Sequence, residues 1–387
     1  MHASRSLTLL ASAVLAVLAA GGCSPAAPAG DTASAAGQAA SAQAGTIAEF
    51  FDAFTDEWML RQPSSATGSR YFDDARQDEM DRQLTPMTSE FRQETVELAR
   101  RGLEQLQQFD FNAMDDTERV SAEMMRWQLQ AIVDGEAFAH LQFPLNQFGG
   151  ANVRLPNLMT VVHPVSSARD AENYLARLRL IGTRMGEARD EAATLASRGI
   201  LPPRFILEAT ISQMKQFISP APAGNPLVTT FQGRLSGVEE IEAQQRDALV
   251  EQAAGIVADS VYPAWQEAIA VLEAQLPEAT DDAGLWRFDD GAQAYAHHLH
   301  RFTSTDLDAE QIHALGLEEV ARIEGEMDEI LRALGRTEGS VNERVAQLRQ
   351  DLAYPDNDEG RTRIMADIET MMRDAERRAD ALFDIRP

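Results

Sequence analysis

Cysteine occurs once in these 387 residues, at Cys23, and lysine once, at Lys215. A single cysteine excludes an internal disulfide, so the core must hold by packing alone. Basic residues of both kinds number 34 against 61 acidic ones, for a formal charge of −27. A field of that sign repels phosphate backbones and excludes nucleic acid as a natural partner. It also opposes electrostatic docking on anionic lipid headgroups. The acidic residues are spread along the chain rather than in blocks, as on a solvated surface.

Several chemical signatures are missing too. The sequence has no H-E-x-x-H, H-x-x-E-H or G-x-S-x-G, no phosphate-binding loop and no dinucleotide-binding glycine pattern. Acidic pairs are so frequent that none stands out as an acid/base couple. No catalytic residue and no metal ligand can be named from motifs.

What is present begins with an export signal. Arg5 precedes an apolar run from Leu7 to Ala20, shorter than the ~20 residues needed to span a bilayer but suited to a cleaved secretory peptide. Ala20-Gly21-Gly22-Cys23 then resembles a lipobox, which predicts a signal peptide over 1–22 and acylation of Cys23 as the mature N-terminus. A plain signal cleaved near Gly22 is the alternative. Ser24 follows the cysteine, where an Asp would mark inner-membrane retention, so the expected location is the periplasmic face of the outer membrane, reached through a lipid anchor. Residues 23–45, rich in Ala, Ser, Gly, Gln and Pro, read as a tether that cannot bury enough apolar surface to fold.

From residue 46 to 387 the apolar period is helical, and the expected class is all-α, a large multi-helix domain. Thr46 and Glu49 form a capping box ahead of Ile47, Phe50, Phe51, Phe54 and Trp58 at three- and four-residue spacing. The longest clean stripe runs from Ser167 to Gly199. A long helix is expected from Ser236 to Leu276, kinked ahead of Pro263. Another is expected from Asp306 to a stop at Gly335, and a last one over Ile364 to Leu382. Leu227 to Phe231 is the only plausible strand. Pro144, Gly149, Gly150, Pro156 and Pro164 interrupt the helical period between Phe143 and Val165. A long ordered loop inside a helical protein is a functional candidate. Its Asn146, Gln147 and His163 could line a peptide-binding channel, or could only satisfy the loop's own backbone. His297 and His300 lie one turn apart, as helical metal ligands do, but no third ligand sits at a helical spacing nearby. A polar helix face with one buried imidazole is the expectation there, and His313 near Glu310 reads as a surface contact.

Four stretches together resemble a known family: FFDAFTDEWMLRQPSSATGSRYF at Phe50–Phe72, FPLNQFGG at Phe143–Gly150, HPVSSARDAENYLARL from His163, and YAHHLHRFTSTDLDAEQIHALGLEEVARIEGEM at Tyr295–Met327. The sequence is similar in these to the bacterial domain of unknown function 885. That resemblance implies a helical, channel-enclosing fold akin to zincin metallopeptidases. It also implies a C-terminal His-Glu-Ala-x-Pro-Gly-His-His-like motif whose histidines hold zinc and whose glutamate activates water. No residue here matches that motif, so none inherits a catalytic or metal-binding role, and zinc is expected only with a C-terminal part this chain lacks. Two functions follow. The chain is the N-terminal, substrate-channel half of a zinc-metallopeptidase-like lipoprotein, truncated and inactive by itself, or it is a non-catalytic helical envelope lipoprotein that binds peptides or a protein partner. Whether the chain itself counts as an enzyme stays open at this point.

Overall fold

The computed structural model describes residues 45–379 and 381–383. The signal segment, Cys23 and the tether up to residue 44 lie outside the described residues, as do residues 384–387. About three quarters of the described residues are helical, and no strand occurs among them. The chain is all-α.

Contacts divide it into two units, with Arg301 the last residue of the first and Phe302 opening the second. The first begins with α1 (Ile47–Arg61), α2 (Pro63–Ser69), α3 (Asp74–Asp81), α4 (Ser89–Leu106) and α5 (Asp116–Asp134). The expected capping box at Thr46 and Glu49 closes both ways. A second box, Asp115 with Glu118, starts α5. Phe51, Phe54 and Trp58 of α1 pack with Leu98 of α4 and Leu129 of α5 in one apolar cluster.

A larger cluster surrounds α7 (Ala168–Ser197), whose Tyr174, Leu178, Ile181 and Met185 are wholly buried. Against it stand α8 (Arg204–Phe217), α9 (Pro226–Leu235), α10 (Ala243–Ile256) and α11 (Tyr262–Gln275). Between α5 and α7 runs α6 (Ala151–Asn157), and α12 (Gly291–Thr303) follows α11.

Three elements differ from expectation, each for a local reason. Leu227 to Phe231 is helix, not strand. Asn225 caps it by accepting from the Leu227 amide at 3.0 Å, and Pro226 takes the first helical position. Its buried residues, Leu227, Val228, Phe231 and Leu235, keep a helical spacing. The long helix expected from Ser236 starts only at Ala243, because Val238 and Ile241 dip into the core first. Finally, the Phe143–Val165 segment holds α6 despite Pro156, and continues as a π turn over Leu158–Val162.

Both π turns sit beside prolines. One follows Pro156, and the other, Val257–Val261, directly precedes Tyr262-Pro263. Proline removes an amide from the i→i−4 ladder, and a wide turn lets the helix continue without it. The second turn packs so closely on α7 that a Cβ on Gly182 would lie 2.5 Å from Ser260 Oγ and 3.1 Å from its carbonyl oxygen. Glycine at 182 is what lets the backbones approach.

The second unit contains α13 (Ala309–Ala333), α14 (Val341–Leu352) and α15 (Asp358–Ala379). Gly335 ends α13 at φ +76°, as its sequence signal implies. Leu331 is buried between α13 and α14. Arg344 clamps the same pair by donating to Asp328 and to the carbonyl oxygen of Arg336.

Candidate functional site

The residues singled out in the Phe143–Val165 segment separate into two places. Asn146 and Gln147 belong to a surface loop that organises itself. Asn146 Oδ1 accepts from the amides of Phe148 (3.0 Å) and Gly149 (2.8 Å), while its Nδ2 donates to the carbonyl of Phe143. Gly150 sits so close that a Cβ there would lie 2.3 Å from the Asn146 amide nitrogen. Asn152 then ties the loop to α8, donating to Gln213 Oε1 at 2.9 Å, and Gln213 returns a bond to the Gln147 carbonyl. This fixed loop holds Phe148 outward, 85% exposed.

His163 lies elsewhere, 1% exposed, at the end of the first π turn. Its Nδ1 accepts from Arg177 Nη1 at 2.9 Å and its Nε2 faces the Asp170 carbonyl at 3.4 Å, which fixes the neutral Nε2–H tautomer. Burial, then the Arg177 charge, pushes its pKa down to about 3. The lone pair is occupied and the ring is sealed, so this imidazole cannot serve as a base or a ligand toward solvent. It is a strut.

Arg177, from the middle of the long α7 stripe, is the centre of the network and is fully buried. It donates to the carbonyls of Gln83 (2.7 Å) and Met80 (2.9 Å) and to the Thr67 hydroxyl. The Thr67 hydroxyl in turn donates to Asp81, which also accepts from Gln77 at 2.8 Å and lies 3.6 Å from Arg70. Burial lowers the guanidinium pKa to about 10 while the Asp81 charge opposes the shift. A buried charge is tolerable only when paired and hydrogen-bonded, and every part of this network meets that condition. It locks α2, α3, the π turn and α7 together. Below it Tyr174 stacks on Phe231 at 4.4 Å and donates to the Leu227 carbonyl. Arg234 of α9 caps the π turn by donating to the carbonyls of Thr160 and His163.

His140, His297 and His300 lie on or beside α12, whereas His313 is exposed on α13. His297 faces the Phe138 ring at 5.5 Å, with its Nε2 just above Gly135, and His300 faces Trp127 at 6.3 Å. Burial holds His297 below its usual pKa. His140 pairs with Asp290 at 3.2 Å, a contact between distant residues that no local spacing announces. Among the described residues no three His, Cys, Asp or Glu side chains are arranged to hold a metal, and no helix is long and apolar enough to cross a membrane.

The helices of the second unit carry long apolar faces that stay open. On α13, Val320, Ile323 and Ile330 are exposed, Ile330 to 61%. On α15 the same holds for Ile364, Ile368 and Met371, the last to 62%.

The architecture places the chain among large all-helical proteins, and comparison with known ones assigns the family. Residues 63–387 match the family described as bacterial protein of unknown function (DUF885), and the chain belongs to it. A search of curated proteins finds no match. Among solved structures, a candidate lipoprotein from Colwellia psychrerythraea is similar, with a TM-score of 0.77 and 23% identity over 88% of this chain and 60% of that one. A candidate lipoprotein of unknown function from Shewanella oneidensis is similar too, with a TM-score of 0.55 and 17% identity over 89% of this chain and 59% of that one. At such identities the likeness is one of fold. The chain spans about three fifths of the length of these relatives.

Proposed function

We propose that this chain is the N-terminal, channel-wall half of a zinc-metallopeptidase-like exported lipoprotein, anchored to the cell envelope through Cys23 and without peptidase activity by itself. The carrying observation is a coincidence of length and exposure. The chain spans three fifths of its relatives, and helices in its second unit carry exposed apolar faces. Two relatives described as candidate lipoproteins support the anchor. In this reading zinc and the general base come with the remaining two fifths. The Asn146–Gln147 loop lines the channel and offers Phe148 to apolar side chains of a peptide, and the His163 strut holds that wall rigid.

A second reading, a non-catalytic envelope lipoprotein that binds peptides or a partner, draws on the same outward Phe148. The gene discriminates between them. Reading the DNA downstream of the Pro387 codon in all frames should reveal a His-Glu-x-x-Pro-Gly-His-His-like motif. Its absence would leave the second reading.

A further inference from the structure

Arg154 of α6 carries a charge that its surroundings do not neutralise. The half-buried arginines elsewhere find acceptors. Arg204 donates to the Leu276 carbonyl at 3.0 Å and Arg246 to that of Val238 at 2.8 Å, while Arg234 caps the π turn. Among the described residues the Arg154 guanidinium has no hydrogen bond or ion pair. Burial alone acts on it and pulls its pKa below the usual value, with no carboxylate opposing the shift as Asp81 does for Arg177. Its own surface is nevertheless exposed. A side chain that water reaches while protein crowds it enough to desolvate its charge stands in a concave stretch of surface. A guanidinium held there costs free energy unless an anion answers it.

We propose that Arg154 anchors a site for the carboxylate of a peptide, an inference that deepens the channel-wall reading above and rests on it. Arginine is the side chain suited to the task, since its planar fork takes a carboxylate through two parallel N–H···O bonds. Arg154, Asn157 and Val161 recur at three- and four-residue spacing along α6 and the π turn, and all three are exposed, Val161 to 67%. Cation, amide and apolar contact thus follow in order along one face, as a carboxylate, a peptide group and an apolar side chain require. The base of that face is fixed before any ligand arrives. The Arg154 amide donates to the Gly150 carbonyl at 2.9 Å, and Asn152 ties the same turn to α8, so little ordering is left to oppose binding. The overall charge of −27 does not forbid an anionic ligand here. Exposed charges beyond a Debye length, ~8 Å at physiological ionic strength, are largely screened, and the guanidinium acts at contact.

The test is fluorescence anisotropy on the purified 387-residue chain with three peptides that carry a neutral dye at the N-terminus. They are Ala-Ala-Ala-Phe with a free C-terminal carboxylate, the same peptide as its C-terminal amide, and Ala-Asp-Ala-Phe amide. The free acid should bind at least tenfold tighter than its amide, and Arg154→Gln should abolish that preference while leaving the affinity of the amide as it was. Tight binding of the Asp-bearing amide would assign the carboxylate to an acidic side chain, and weak binding to the peptide terminus; either supports the anchor. The urea midpoint of Arg154→Gln should equal or exceed that of the parent chain, because the charge removed has no partner in the fold. A lower midpoint would show Arg154 to be a structural residue and overturn the proposal. Equal affinity for acid and amide, or a preference that survives Arg154→Gln, also overturns it, while peptide binding of that kind leaves the channel wall standing. Failure of all three peptides to bind overturns the site, and the motif downstream in the gene then decides the channel-wall reading separately.

Discussion

At the scale of single residues, His163, Arg177 and Cys23 carry the chemistry. The His163 imidazole is neutral in the fold because burial penalises its charged form and, secondly, because a proton would place a second charge beside the buried Arg177 guanidinium. Its folded pKa of about 3 lies below the ordinary value of 6.5. The native chain therefore refuses a proton that the unfolded chain accepts, in the window between those values. Stability from this group is fully present above pH 6.5 and is lost as pH falls toward 3. Between pH 7.5 and 5.5 the loss is about 1.4 kcal/mol. In His163→Asn, which keeps an acceptor for Arg177, urea unfolding should show that increment gone. An identical pH slope in the variant would mean the imidazole is not held neutral. For Cys23, mass spectrometry of exported protein should show an acylated N-terminal cysteine, and soluble protein without lipid from a lipoprotein-processing host would rule the anchor out.

At the scale of elements, the two π turns and the backbone approach at Gly182 position everything around α7. Adding a methyl group at 182 pushes it to 3.1 Å from the Ser260 carbonyl, an atom that cannot rotate away as the hydroxyl can. Gly182→Ala should cost about 1–3 kcal/mol, measured as a lower urea midpoint. A second change, Ser260→Ala, should restore only part of it, and full restoration would place the clash on the hydroxyl instead. These elements also show how far the sequence could be read. Stripes and capping boxes identify α1, α7 and α13 because local period and local hydrogen bonds decide them. Leu227–Phe231 misleads because β-branched and aromatic residues in a short run fit either state, and the deciding cap at Asn225 lies outside the run. The buried network was not legible. Arg177 meets Thr67 and Gln83 across about a hundred residues of chain, and nothing local marks an arginine inside an apolar stripe as buried. Asn146 was legible as a loop-former, whereas the outward turn of Phe148 follows from tertiary packing.

At the scale of the whole molecule the chain has one large unit with two apolar clusters and a second with exposed faces, in a family whose solved relatives are longer. Zinc hydrolysis needs about three protein ligands around one ion, with a position left for water, and a base within reach of that water. His297 and His300 face different aromatic rings, Phe138 and Trp127, which suits them to packing. The most direct measurement is metal analysis of the purified 387-residue chain after dialysis, paired with digestion of a broad peptide library. Less than stoichiometric zinc and no cleavage are expected. One tightly held zinc per chain with peptide cleavage, both lost in the His297→Ala/His300→Ala double variant, would contradict that.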